Sequence, residues 1–226
     1  MPTPLTFILS LLLGSGAAAA EPTGARPAAP SAPVAPTAGY SGNAAVGLSG
    51  GLLAGEGVSK GVFTAAIVRY EAFAVPADAR KPRLGVSVWG QFPVGPKPTL
   101  DLAALGVSGE DLPDSAEVEL WHYGVLATVR GDPAAPVSAD VAFGFGRMDL
   151  RGAPLATTAL PALTGELGLR HRVRGPAQLS WTLRASWLAA PPTAALNTAA
   201  VTAPAGTTTG DWWTLQLGPS LSFRAP

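Results

Sequence analysis

From Asn43 onward, apolar side chains recur at every second position. That period is the mark of strands with one apolar face. It predicts eight strands. The first carries Ala44, Val46, Leu48 and Leu52 against Asn43, Gly47, Ser49 and Gly51. The second carries Val62, Thr64, Ala66, Val68 and Tyr70, and the third Leu84, Val86, Val88 and Phe92. In the fourth, Trp121, Tyr123, Val125, Ala127 and Val129 alternate with His122, Gly124, Leu126 and Thr128. The fifth is Val137, Ala139, Val141, Phe143 and Phe145; the sixth is Leu167, Leu169, His171 and Val173. The seventh is Leu179, Trp181, Leu183, Ala185 and Trp187; the last is Trp213, Leu215, Leu217, Leu221 and Phe223.

These segments run about 10 to 13 residues. A strand crossing a bilayer at a tilt needs about 9 to 11, whereas a soluble strand usually has about 5 or 6. Length therefore favours membrane strands. Composition sharpens that reading. Only 13% of the residues are charged, against about 25% in an ordinary soluble domain. The faces opposite the apolar ones are rich in Gly, Ser, Thr and Ala, a poor coat for a water-exposed protein. As the lining of a narrow eight-stranded barrel they fit, because such an interior is just wide enough for side chains to fill.

A few long charged residues interrupt that lining. Arg69, Glu71, Asp140, Glu166, Arg170, Arg172 and Arg184 are the expected charge network of the lumen, since isolated charges there would be too costly. The outward aromatics form the expected membrane girdles: Tyr70, Phe92, Trp121, Tyr123, Trp181, Trp187, Trp213 and Phe223. Trp213 and Phe223 lie ten residues apart on one face. At a tilt near 40° that is roughly 25 Å of height, the usual apolar band.

The connections alternate. Gly131 to Pro136 and Gly175 to Gln178 are tight turns, and Ala74 to Pro82 is moderate. Pro93 to Ser115 and Ala190 to Asp211 are long, and Arg151 to Leu163 is intermediate. Counted from a periplasmic N-terminus, short connections face the periplasm and long ones the outside, as in outer-membrane barrels; only the first external turn, Glu56 to Lys60, is unexpectedly short. Ahead of the strands, Leu5 to Leu13 is an apolar run ending in Ala17 to Ala20. It reads as a signal peptide over residues 1–20, cleaved near Ala20 on a Sec-type export route. Residues 21–42 are Pro- and Ala-rich and read as a disordered linker. Residues 43–226 are the expected barrel domain.

In strand number, length and topology, residues 43 to 224 resemble the small bacterial outer-membrane β-barrels, the eight-stranded class typified by OmpA and OmpX. The resemblance implies an all-β, eight-stranded antiparallel up-and-down transmembrane β-barrel in a Gram-negative outer membrane. It also implies a monomer whose partners are outer-membrane lipid and the barrel-assembly machinery. That class commonly ends on an aromatic residue; here Phe223 fits but Arg224-Ala225-Pro226 follows. Pro219 is a second departure, since it cannot donate to a ladder. A bulge at Gly218-Pro219 is expected to accommodate it.

Candidate chemistry changes little. The chain has no cysteine, which excludes disulfides, thiolate chemistry and cysteine-type zinc sites. Lys plus Arg equals Asp plus Glu, 15 each, so no basic excess points to nucleic acid. His122 and His171 sit in different strands and match no metal spacing. Pairing His171 with Ser180 or Ser186 fails, because parity puts them on opposite faces. Neither cofactor, metal nor catalytic residue is expected. Asp101, Glu110, Asp111 and Asp114 make the long 93–115 connection acidic; a solvated loop, with one helical turn near Leu100–Leu105, is the expectation. Three function classes remain: a non-enzymatic structural or surface-exposed barrel with a plugged lumen; a narrow barrel passing or binding a small ligand or anion, suggested by Arg170, Arg172 and Arg174; and a soluble periplasmic barrel of lipocalin type. The first is favoured.

Overall fold

Alternation of the kind just described folds in one way when every strand has two neighbours. In the computed structural model the eight long strands close on themselves. Numbered along the chain, the order is β1 (Gly39–Ala54), β11 (Trp212–Arg224), β10 (Ala177–Leu188), β9 (Leu155–Arg172), β8 (Val137–Gly152), β7 (Glu119–Arg130), β4 (Arg83–Pro93) and β3 (Val62–Val75), and every pairing is antiparallel. The structure describes residues 39–75, 81–107, 109, 111–132, 135–173, 177–189 and 210–224. The export signal, most of the linker and Arg174 lie outside the described residues.

Three short strands, β2 (Val58–Lys60), β5 (Thr99–Asp101) and β6 (Ser115–Glu117), form a separate small sheet in the order β2-β5-β6. Among the described residues there is no helix.

The register sets the shape. Following paired residues from Ala44 leads through Tyr70, Val88, Val125, Phe145, Leu163, Trp187 and Trp213, and returns to β1 at Ala54. Closure is thus staggered by ten residues. With strands about 4.8 Å apart and about 3.3 Å per residue, eight strands and that stagger give a tilt of about 40°. Every member of the row faces outward, so one face stays outside all the way round.

Three expectations need correction. β1 begins at Gly39, not at Asn43: Gly39 to Gly42 pair with Val75 to Ala72. Ladder bonds are made by backbone, so a Gly-Tyr-Ser-Gly stretch pairs as well as an apolar one. The 151–163 stretch is not a loop. β8 and β9 continue past the other strands and turn between Gly152 and Leu155. At Pro219 no bulge forms. Pairing with β10 is unbroken, and pairing with β1 runs through Gly47–Ser220 and resumes at Gly50–Leu217 in the same register. The missing proline donor is absorbed as a short gap in one ladder.

Close approach explains several glycines on the inner face. A Cβ on Gly144 would lie 2.0 Å from the carbonyl oxygen of Val125. A Cβ on Gly218 would lie equally close to that of Leu48. Backbone cannot yield there as a flexible side chain would.

Candidate functional site

Outside the barrel, Val46, Leu48, Val86, Val88, Val141, Leu167, Leu169, Leu215 and Leu217 are all exposed. Phe143 and Phe145 are 63% and 70% exposed. Inside, Glu71 is 0% exposed, and Arg130, Asp140, Glu166, Arg170 and Arg184 are buried. This is the reverse of a water-soluble barrel, whose apolar face fills the core.

The inward side chains form three layers. Nearest the short-turn end lies the charge network. Glu71 accepts from Arg130 at 2.5 Å and from Arg170 at 2.6 Å. Asp140 accepts from Arg130 at 3.2 Å and pairs with Arg170. Arg130 also stacks on the Phe73 ring at 3.8 Å. Slightly higher, Glu166 accepts from Arg69 and Arg184, each at 2.5 Å. Arg184 lies over the Trp89 ring at 3.7 Å. The alternation puts these residues on the inner face, and cross-strand neighbours then decide the pairs: Arg130 is opposite Asp140, and Arg184 is opposite Glu166. Removing ions from water costs several kcal/mol each, so such groups persist only when paired and hydrogen-bonded.

Six of the seven residues expected in the lumen network occupy it: Arg69, Glu71, Asp140, Glu166, Arg170 and Arg184. Arg172 does not. It is exposed near the end of β9, where inward parity no longer means enclosure. Arg130 was not expected there. It continues the inner parity of His122, Leu126 and Thr128 by one step, beyond the presumed strand end at Val129.

The middle layer is polar and uncharged. Ser87 and Thr128 bond at 2.9 Å lower down, beside the charge network; in the middle layer Thr164 and Ser186 bond at 3.0 Å. Around them, both His122 nitrogens, the Gln91 amide, Thr214 Oγ1, Gln216 Nε2 and Trp89 Nε1 are buried without a protein partner. His122 meets the Trp89 ring edge-on at 4.4 Å.

The third layer is an apolar cap at the long-loop end. Leu53, Phe63, Leu120, Met148, Leu150, Leu160, Leu188 and Trp212 from the barrel pack with Leu100, Leu102, Leu105 and Val107. The 93–115 connection is therefore not simply a solvated loop. Its acidic residues Asp111 and Asp114 are exposed while its leucines enter the cap. The expected helical turn forms after β5: the Leu105 amide donates to Asp101 O, and Asp101 Oδ1 accepts from the Ala104 amide. Gly57 supports the cap from β2's side. Its φ of 74° favours glycine, and any Cβ would strike Leu105. Sequence reading missed this layer because cap residues and outward-facing residues are equally apolar.

The eight expected girdle aromatics all lie on the outer face. Allowing for the tilt, Phe92, Trp121, Tyr123, Trp187 and Trp213 fall near the long-loop end, with Phe92 edge-on to Trp121 at 5.4 Å. Tyr70, Trp181 and Phe223 fall near the other end, roughly 20 Å below. At and above the upper row the outer face becomes charged: Arg147, opposite Tyr123, and Arg151 bond Asp149 at 2.6 and 3.3 Å, and Lys97 bonds Glu119 at 2.8 Å. That last bond, and the nearby carboxylate charge, hold the Lys97 ammonium above its ordinary pKa. His171 is exposed outside, and Ser180 and Ser186 are buried inside, so they do not meet. No cluster of metal-ligating side chains occurs among the described residues.

No family model matches the chain, and no curated protein matches it. Among solved structures, it is similar to Neisserial surface protein A, with 12% identity over 82% of this chain and 98% of the other, at a TM-score of 0.49. It is similar to Ail of Yersinia pestis, with 12% identity over 81% and 98%, at 0.45. It is also similar to the outer membrane protein AlkL, with 13% identity over 92% and 97%, at 0.43.

Proposed function

We propose that this chain is exported and spans a bacterial outer membrane as a structural or surface-displaying barrel, without enzymatic activity and with a plugged lumen. One observation carries the reading: the outer wall is apolar and the interior charged. An outward apolar band between two aromatic rows suits a bilayer, whose interfaces favour such rings. The same surface in water would be a very large exposed apolar patch, far beyond the few hundred Å² usual for soluble monomers. Closure also leaves no strand edge unpaired in lipid.

The layers support the plugged lumen. Two small cavities inside have volumes of about 20 and 10 Å³. One water needs about 10–15 Å³. A non-catalytic role rests on the pairing of every lumen acid with arginine. The partners of this reading are outer-membrane lipid and the assembly machinery that inserts such barrels, with the protein as a monomer.

A fractionation experiment tests this. The protein is expected in the outer-membrane fraction, released only by detergent, and migrating faster on gels before boiling than after. Release by osmotic shock without detergent would overturn it and support the soluble alternative. The second reading, passage of a small ligand or anion, draws on the polar middle layer. Steady unitary conductance in planar bilayers would favour it; an unbroken baseline would favour the plug.

A further inference from the structure

The ion pairs of the lumen do not balance. The lower group, Arg130 and Arg170 with Glu71 and Asp140, has two charges of each sign. The upper group, Arg69 and Arg184, has only Glu166 at 2.5 Å, plus a longer 3.4 Å contact from Arg69 to Glu71, already shared by Arg130 and Arg170. Half-buried Arg83 and Asp132 near the turn end add one charge of each sign. Among the described residues one positive charge is left over, and it lies in the upper group. A buried uncompensated charge is among the costliest features a fold can carry.

The larger cavity borders that group. Arg69, Arg184, Gln216, Ser49, Thr182 and Ser220 line it, and no carboxylate does. Arg184 and Gln216 are each 2% exposed. Each also has a buried donor without a protein partner, Arg184 Nη1 and Gln216 Nε2. The Gln216 oxygen already accepts from Ser49, which leaves its amide N–H groups to donate. The cavity also adjoins the ladder gap at Gly218-Pro219. Its volume of about 20 Å³ has room for one or two water-sized species. A cation or an apolar molecule would meet arginines and donors there; an anion would complete them.

We infer that this cavity is a binding site for one small monovalent anion of halide size, held between Arg184, Arg69 and Gln216 as the counter-ion of the lumen. The site retains its anion and conducts nothing. It is a property of the folded barrel and does not depend on which membrane holds it.

The test uses the full mature chain folded in detergent, with chloride as probe and gluconate as replacement at constant ionic strength. Unfolding is followed by the loss of the fast-migrating gel form. For the wild type, each tenfold rise in chloride above the dissociation constant multiplies the folding constant about tenfold. Arg184→Gln balances the network and is expected to abolish that dependence. Gln216→Leu keeps every ion pair and is expected to weaken it, which covers the case in which Arg184→Gln does not fold. Bromide-soaked crystals are expected to give an anomalous peak within hydrogen-bond reach of Arg184 and Gln216. Equal chloride dependence in wild type and either folded variant would overturn the inference. So would a cavity holding water alone in bromide.

Discussion

Glu71 receives hydrogen bonds from two guanidiniums in a position closed to water. Its replacement by Gln keeps the shape and removes the charge, leaving Arg130 and Arg170 short of a counter-ion. Breaking one side of a buried pair costs about 3–5 kcal/mol. Urea unfolding of the Glu71→Gln protein in detergent is expected to show that loss. The outer face obeys the opposite rule. Phe143 is exposed in the middle of the apolar band, so Phe143→Arg is expected to cost about 2–4 kcal/mol in lipid. Arg147 lies near the upper aromatic row, where the cost of charge falls to about 0–1 kcal/mol. Arg147→Ala should therefore change stability little in the same assay. Which residues face inward was legible from parity alone. Arg172 and Arg130 were misjudged because parity does not say where enclosure begins and ends.

At the scale of elements, β9 is the longest strand and leans on β8, with which it turns beyond the rest of the barrel. Gly144 lets β8 approach β7 closely enough to close the ladder. Gly144→Val places methyl groups against backbone that cannot move aside. The expected result is failure to acquire the fast-migrating form, whereas Gly165→Ala, with open space around it, should fold normally. The β2-β5-β6 sheet behaves differently. Leu105 is buried in the cap that this sheet helps build, not in the barrel wall. Leu105→Ala is expected to cost about 2–5 kcal/mol locally. It should raise protease sensitivity of the 93–117 segment while leaving barrel migration unchanged. The cap was invisible beforehand because its residues come from eight chain-distant segments. Pro219 was visible as a problem but not in its solution, since a ladder gap leaves no trace in residue type.

At the scale of the whole molecule, the polarity of inside and outside couples the fold to its surroundings. Detergent removal is expected to precipitate the folded protein, while transfer into vesicles should preserve the compact gel form through proteinase treatment. A chain that stays soluble and monomeric without detergent would contradict a lipid-facing wall. The sequence by itself determined the strand count, the inner and outer faces and the aromatic rows. Those follow from a period of two, which the pleat imposes on any strand. Only the tertiary structure decided which arginine meets which carboxylate, how the long loop caps the barrel, and where one positive charge is left beside a cavity. Register and closure bring together residues as distant as Arg69 and Glu166, or Arg184 and Gln216. Such meetings depend on a ten-residue stagger that no single strand records. The eight-stranded barrel foreseen in the alternation is thus the closed barrel observed, with a charged interior and an apolar cap that alternation alone did not disclose.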